Sequence, residues 1–504
     1  MSDRWVSGSA FTEALHRPGG FALSVALRTH YDPSPTTRAA LRERLAGCAA
    51  DGLVRGFFIS DRDCGPDEHS TAELAQEVLA AGAHPVVSFT LATGNRAEIL
   101  DRVRTWRERG VRSLLVVTGD HPADAGGSAP HFDLDSMQTL MLLAEAAARG
   151  GGFPADLHKG CVVSPFKSSE AELMWQYARL RRKVGAGADF VVSQAGYDPR
   201  AWDELLRYCR LAGLATPAIG TVLVPDAGLA RRIAAGGLPG VAMPRRLLER
   251  FSSPNTRNGL GLAAAAVAVL RGLGFRGALL SGRALAPAEV RAIAQEAERL
   301  APSWRDCLDQ FADPLPRFAY FRKDEASGLN EDRATELTRR AVPHPMYVFS
   351  RGVDHLLFGP VKPVFRLLSR VCRFCDTRPG WKKALWCLEY LSKVPLYRCR
   401  MCGDCTLYAC GFFCSEARCP KRMVNGPCGG SRDGRCELPA GGTCMWVKAY
   451  DCLKTRTARP TFTAPPVPPK DRGLEGSCSW INFCLGRDHR RGRIDTHERA
   501  EDQG

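Results

Sequence analysis

No stretch of the 504-residue chain approaches the roughly 20 uninterrupted apolar residues that a helix needs to cross a bilayer, so no helical membrane span is expected. The opening residues, MSDRWVSGSAFTEALHRPGG, lack the basic-then-apolar pattern of a secretory leader, and a cytoplasmic location is the expectation. No G-x-G-x-x-G follows the first strand candidate, which argues against a doubly wound dinucleotide-binding sheet. Internal repeats are absent. So are recognisable nucleic-acid-binding motifs, and the formal charge of +15 is read as solvated basic helix faces or attraction to small anions. Cysteine is scarce through the first three fifths: five of the 20 lie before residue 310, and the other 15 fall between Cys372 and Cys484. That gradient marks a change of domain. In a reducing compartment, so many thiols point to metal ligands and buried side chains rather than disulfides.

With 45% hydrophobic and 24% charged residues the chain has a globular composition, and its length exceeds what one core usually organises. Up to about residue 312, short apolar runs alternate with longer helical patterns. The runs are FALSVAL, GFFIS, HPVVSFT, SLLVVT, GCVVS, DFVVSQ, PAIGTVLV and GALLS. Between them lie amphipathic stretches such as TAELAQEVLAAG and EAELMWQYARLRRKVGAG. Eight βα units predict an α/β fold, a (β/α)₈ TIM barrel over residues 1–312. A connecting helical region over 313–370, a smaller cysteine-rich metal-binding domain over 371–455 and a Pro-rich, basic tail over 456–504 complete the expected organisation.

Barrels of this kind place reactive groups beyond the C-terminal ends of their strands. The fourth strand ends in Thr118, Gly119 and Asp120, and the sixth in Gln194, whose amide both donates and accepts hydrogen bonds. LLVVTGDHP, followed by LRRKVGAGADFVVSQAGYD and GTVLVPDAGLARRIAAGGLPGVAMPRRLLERF, resembles the methylenetetrahydrofolate reductase family. The resemblance implies flavin-dependent interconversion of 5,10-methylenetetrahydrofolate and 5-methyltetrahydrofolate. FAD is the expected flavin, with FMN as the alternative, and NAD(P)H or an electron-transfer protein is the expected donor. It places Asp120 near flavin and folate, Lys183 near the cofactor and Gln194 on the pterin. Ser60, Ser88, Thr118 and Gly119 are the further cofactor candidates. The family's first strand carries a Glu as general acid, whereas ALSVALRTHYDPSP has none. Alignment on the first Pro puts His30 there, and alignment on the strand start puts Ala26. An imidazole can deliver a proton near neutral pH, so His30 is the candidate donor. A catalytically altered partner of another one-carbon enzyme, such as a methyltransferase, is the competing reading. The sequence leaves a homo-oligomer open.

Cys399-x-x-Cys402-x-x-Cys405, continuing through Cys410, Cys414 and Cys419, has spacings that suit an iron–sulfur cluster or a zinc site. Cys428, Cys436 and Cys444 follow among turn-forming glycines, and a further pair, Cys372 and Cys375, lies upstream. YRCRMCGDCTLYAC and CPKRMVNGPCGGSRDGRCE resemble the cysteine-rich domain that accompanies some methylenetetrahydrofolate reductases. That resemblance implies an electron relay or a structural metal module.

Overall fold

The computed structural model describes residues 9–27, 35–50, 52–60, 68–92, 94–119, 132–150, 152–238, 240–241, 243–252, 259–311, 317–337, 344–359, 363–438, 442–454 and 466–490. All eight predicted runs form strands: β1 (Ala22–Leu27), β2 (Val54–Ser60), β3 (Pro85–Thr90), β4 (Ser113–Val117), β5 (His158–Val163), β6 (Phe190–Ser193), β7 (Ala218–Leu223) and β8 (Gly277–Ser281). They pair in parallel and in sequence order, and β8 returns to β1 to close the barrel. Helix α1 (Ala10–His16) precedes β1. Around the barrel follow α2 (Pro35–Ala49), α3 (Glu68–Ala80), α4 (Arg96–Glu108), α5 (Ser136–Arg149), α6 (Glu170–Gly185), α7 (Pro199–Leu211), α8 (Ala227–Ala234), α9 (Arg245–Ser252), α10 (Gly259–Leu273) and α11 (Pro287–Leu300). This is the predicted (β/α)₈ architecture.

Strand residues alternate between two cores, as a period of two requires. Leu23, Val25, Phe57, Ile59, Val87 and Phe89 pack under the outer helices. Ala22, Phe58, Val86, Leu115, Phe190, Val192, Ile219 and Leu279 form a separate cluster inside the barrel, with Phe11 and Leu15 of α1 inserted from the N-terminal end. Phe11 stacks on His84 at 5.4 Å and meets Phe190 edge-on at 5.9 Å. A Cβ at residue 160 would lie 2.3 Å from the Phe190 ring, so Gly160 is what lets that ring fill the barrel. Below it, His16 Nε2 and His158 Nε2 share a hydrogen bond of 2.9 Å, and burial pushes His84 down to about 4, keeping it neutral.

Beyond the barrel the chain departs from the expected boundaries. The connecting region opens with a hairpin, β9 (Phe321–Lys323) and β10 (Asn330–Ala334), docked on α7. Its anchor is Arg317, buried between Asp198 at 2.6 Å and Glu204 at 3.3 Å. Those carboxylates are remote in sequence, which is why the segment reads as a polar linker. Helices α12 (Pro345–Leu357), α13 (Pro363–Asp376), α14 (Pro379–Tyr397), α15 (Ser415–Arg418), α16 (Met445–Leu453) and α17 (Ser479–Cys484) build the C-terminal body. Part of the expected tail belongs to it. Asn425 pairs with both backbone groups of Val467, at 2.7 and 3.0 Å, and His489 is held by Asp404, so the body extends to residue 490.

Because Phe11 plugs the end opposite the predicted reactive face, its loss should affect stability alone. Phe11→Ala is expected to destabilise the fold by about 3–5 kcal/mol. Denaturant unfolding measures this, with ligand affinity at the other end unchanged.

Candidate active site at the barrel mouth

At the C-terminal ends of the strands the inward positions change from apolar to polar. Phe58 gives way to Ser60, Val86 to Ser88 and then Thr90, Val162 to Ser164, Val192 to Gln194, Ile219 to Thr221 and Leu279 to Ser281. Except for Ser88, these polar residues, with Thr118 and Gly119 after β4, line a cavity of about 380 Å³. Of the residues predicted from sequence, Ser60, Thr118, Gly119, Lys183 and Gln194 therefore share one wall. Ser88 pairs in register with Ser60 but does not reach the cavity. His30 and Asp120 lie outside the described residues. Ala26 pairs with Phe58 and packs on the interior cluster, so it offers a methyl group and no acid.

Helix α6 supplies the charge. Ser169 caps its N-terminus by accepting from Glu172 N, and Gln176, Arg179 and Lys183, spaced three and four apart, face the cavity together. Lys183 Nζ donates to Val162 O at 2.7 Å. Burial first, and then the neighbouring Arg179, push Lys183 down to about 8. Arg179 donates to Pro427 O and, at 3.3 Å, to Ser136 Oγ. Its Nε and the Ser164 hydroxyl are buried without a partner among the described residues. Orphaned polar atoms of this kind imply a ligand or water in the cavity.

The C-terminal body forms the opposite wall through Lys421, Cys428, Gly429 and Gly430. Lys421 Nζ donates to Gly119 O at 2.6 Å and pairs with Glu437. From the barrel side, Lys167 Nζ donates to Gly429 O at 2.6 Å, and Gln176 to Cys428 O at 3.3 Å. Trp175 donates to Trp446 O at 2.8 Å and meets that ring edge-on at 5.0 Å. Lys167, Gln176, Arg179 and Lys421 were missed from sequence. The strand period would have found Ser164, Thr221 and Ser281, and helical spacing from Lys183 would have found Arg179.

The nine predicted metal-ligating cysteines divide into two neighbourhoods. Cys405 and Cys414 act electrostatically on Cys399 and Cys402, and Cys414 acts on Cys410. The ammonium groups of Lys393 and Lys470 lie 3.8 and 3.6 Å from the Cys405 and Cys402 sulfurs. Cys428 acts in the same way on Cys419, Cys436 and Cys444. Cys428 also lines the cavity. Burial pushes Cys402 and Cys444 up to about 11, so the metal-free side chains are thiols. The donor chemistry suits thiophilic metals. Among the described residues, however, no three Cys, His, Asp or Glu side chains are already drawn together as a metal site.

Residues 57–274 match the family model described as methylenetetrahydrofolate reductase, and residues 379–472 match methylene-tetrahydrofolate reductase C terminal. The chain is a methylenetetrahydrofolate reductase-family barrel joined to that family's C-terminal domain. Among curated proteins, it is 25% identical over 160 residues to a probable methylenetetrahydrofolate reductase (NADPH) of Caenorhabditis elegans, covering 31% of this chain and 22% of that one. To a probable methylenetetrahydrofolate reductase (NADH) of Oryza sativa subsp. japonica it is 25% identical over 166 residues, covering 31% and 28%. The match thus spans about a quarter of each relative's length. Among solved structures, a Clostridium thermocellum protein that binds two copies of 5-methyl-5,6,7,8-tetrahydrofolic acid has a TM-score of 0.38 at 14% identity, covering 56% of this chain and 95% of that one. Tryptophan synthase of M. tuberculosis has a TM-score of 0.34 at 18% identity, covering 57% and 96%.

Gly240 tests the closure directly. Its φ is +72°, and a Cβ there would lie 2.8 Å from Gly429 O and 3.5 Å from Gln194 Nε2. Gly240→Ala is expected to cost about 1–3 kcal/mol through backbone strain and steric displacement. Amide hydrogen exchange should rise around residues 425–431 while the β1–β4 strands keep their protection.

Proposed function

We propose that the protein interconverts 5,10-methylenetetrahydrofolate and 5-methyltetrahydrofolate at the barrel mouth, using a bound flavin. One observation carries this reading: Gly119, Lys183 and Gln194, chosen from separate motifs, line a single cavity. The residues present fit a flat heteroaromatic group. Val116, Val117, Val162, Leu223 and Leu238 supply apolar surface, and the unpartnered Ser164 hydroxyl and Arg179 Nε supply polar contacts for a ring edge. A flavin, FAD or FMN, would supply the hydride-transfer chemistry when bound.

The protein's own part is binding, charge balance and exclusion of water. Lys183 and Arg179 would offset negative charge on the flavin. Gln194 would read a pterin edge, because its amide presents both a donor and an acceptor. The Cys428–Gly430 wall would shield the reacting groups from solvent. Asp120 is assigned to the flavin and folate, and His30 to proton delivery. The second thiol neighbourhood reaches the cavity through Cys428, which favours a relay from an electron-transfer protein over direct use of NAD(P)H. The methyl group at Ala26 favours the other reading, an altered folate-binding partner of a methyltransferase. Both readings predict folate binding, and only the first predicts turnover.

Full-length protein purified without oxygen should bind FAD or FMN and interconvert the two folates with an artificial electron carrier. Failure to bind either flavin would sink the proposal, and flavin binding without turnover would favour the partner reading. Gln194→Ala is expected to lower kcat/KM for folate by about 10–100-fold, the worth of a lost buried hydrogen bond or two, with flavin affinity unchanged. Lys183 loses its proton as pH rises through about 8, so the attraction for an anionic flavin should weaken above that pH. Flavin titrations at pH 7 and 9 should show this in the native chain and lose it in Lys183→Met.

A further inference from the structure

Four cysteines outside both family-matched segments lie on two packed helices, where no three of them yet stand as a formed metal site. Cys372 and Cys375 stand three apart on α13, so they share a helical face. Cys478 is the N-cap of α17 and Cys484 its last residue. Each is no more than 5% exposed. Cys372, Cys478 and Cys484 belong to one small cluster with Phe365, Ile481 and Phe483. The Cys372 and Cys484 thiols hydrogen-bond each other, and Cys478 and Cys375 are near enough to act on Cys372 electrostatically. The four remain free cysteines.

We propose that Cys372, Cys375, Cys478 and Cys484 form a thiolate metal site, separate from the nine cysteines assigned above, that takes Zn²⁺ or an iron–sulfur cluster. Four thiolates are the full ligand set for either centre. The three cysteines of this cluster replace part of an apolar core: its other buried members are Phe365, Ile481 and Phe483, with Phe358, Leu368, Leu385, Trp386, Trp480 and Leu485 partly buried against it. Ser369 adds an independent indication. It is 4% exposed, sits one turn before Cys372 on the same face, and its hydroxyl has no partner among the described residues. An O–H in that position is the donor that a metal-bound sulfur accepts. The touching pair Cys372 and Cys484 is the preformed half. Rotamer changes at Cys375 and Cys478 close the set, with release of the thiol protons to solvent as the metal binds.

The test is metal and acid-labile sulfide per chain in anaerobically purified full-length protein. Three forms are compared: native, Cys478→Ser/Cys484→Ser, and Cys402→Ser/Cys405→Ser. The flanking variant is expected to lose one zinc, or the iron and sulfide of one cluster, and to keep what the second variant loses. Unchanged metal content in a folded flanking variant overturns the proposal, as does a Cys372–Cys484 disulfide in peptide mapping. Should that variant fail to fold, alkylation of the native chain in mild denaturant decides. Protection of these four thiols that a chelator abolishes supports the site, and protection indifferent to chelator overturns it. Neither readout requires flavin or folate, so failure here is distinct from failure of the folate reading.

Discussion

A buried cation must find an acceptor, and three such cations fix the C-terminal body on the barrel mouth. Lys167 and Arg179 reach out of the barrel to the carbonyls of Gly429 and Pro427, and Lys421 reaches back to Gly119 O. Shifting an acceptor away while the two parts stay packed would strand a charge in a poorly solvated place, a far larger penalty than loss of a surface ion pair. The cavity exists because of that constraint. Without the Cys428–Gly430 segment the polar strand ends would face open solvent, and a flat ligand would have one wall rather than two.

The barrel was legible because parallel strands covered by helices read as short apolar runs, and here all eight did. Gln194 was legible for a related reason: it is the first polar residue after DFVVS, at the end where a barrel works. The clamp was not. Arg179 and Lys183 sit in the string ARLRRK, which reads as the solvated face of a helix until another domain is known to cover it. Lys167 follows a strand by a few residues and looks like any loop lysine. The end of the C-terminal body was equally hidden, since the Asn425 bonds that capture Val467 join residues 42 positions apart and leave no local pattern.

The register of β1 bears on the proton. Outward Leu23, Val25 and Leu27 alternate with inward Ala22, Ser24 and Ala26, so the inward position of β1 nearest the mouth carries no titratable group. His30, the candidate donor, follows the end of β1 by three residues in sequence and lies outside the described residues.

The three groups of thiols are connected by contact. Lys393 bonds Ser479, the neighbour of Cys478, at 2.7 Å and also approaches Cys405. Lys470 approaches Cys402 and pairs with Glu416, three residues before Cys419. Cys419 neighbours Cys428, which lines the cavity. The C-terminal body is thus threaded by thiols and buried lysines where a larger domain would have apolar core. Metal bound by those sulfurs, as proposed, would supply much of the rigidity of such a body, because metal affinity is folding free energy when no site is fully preformed. With metal bound there, the wall of the cavity would be as firm as its metal complement, and binding at the mouth would be linked to metal occupancy without any contact between metal and ligand.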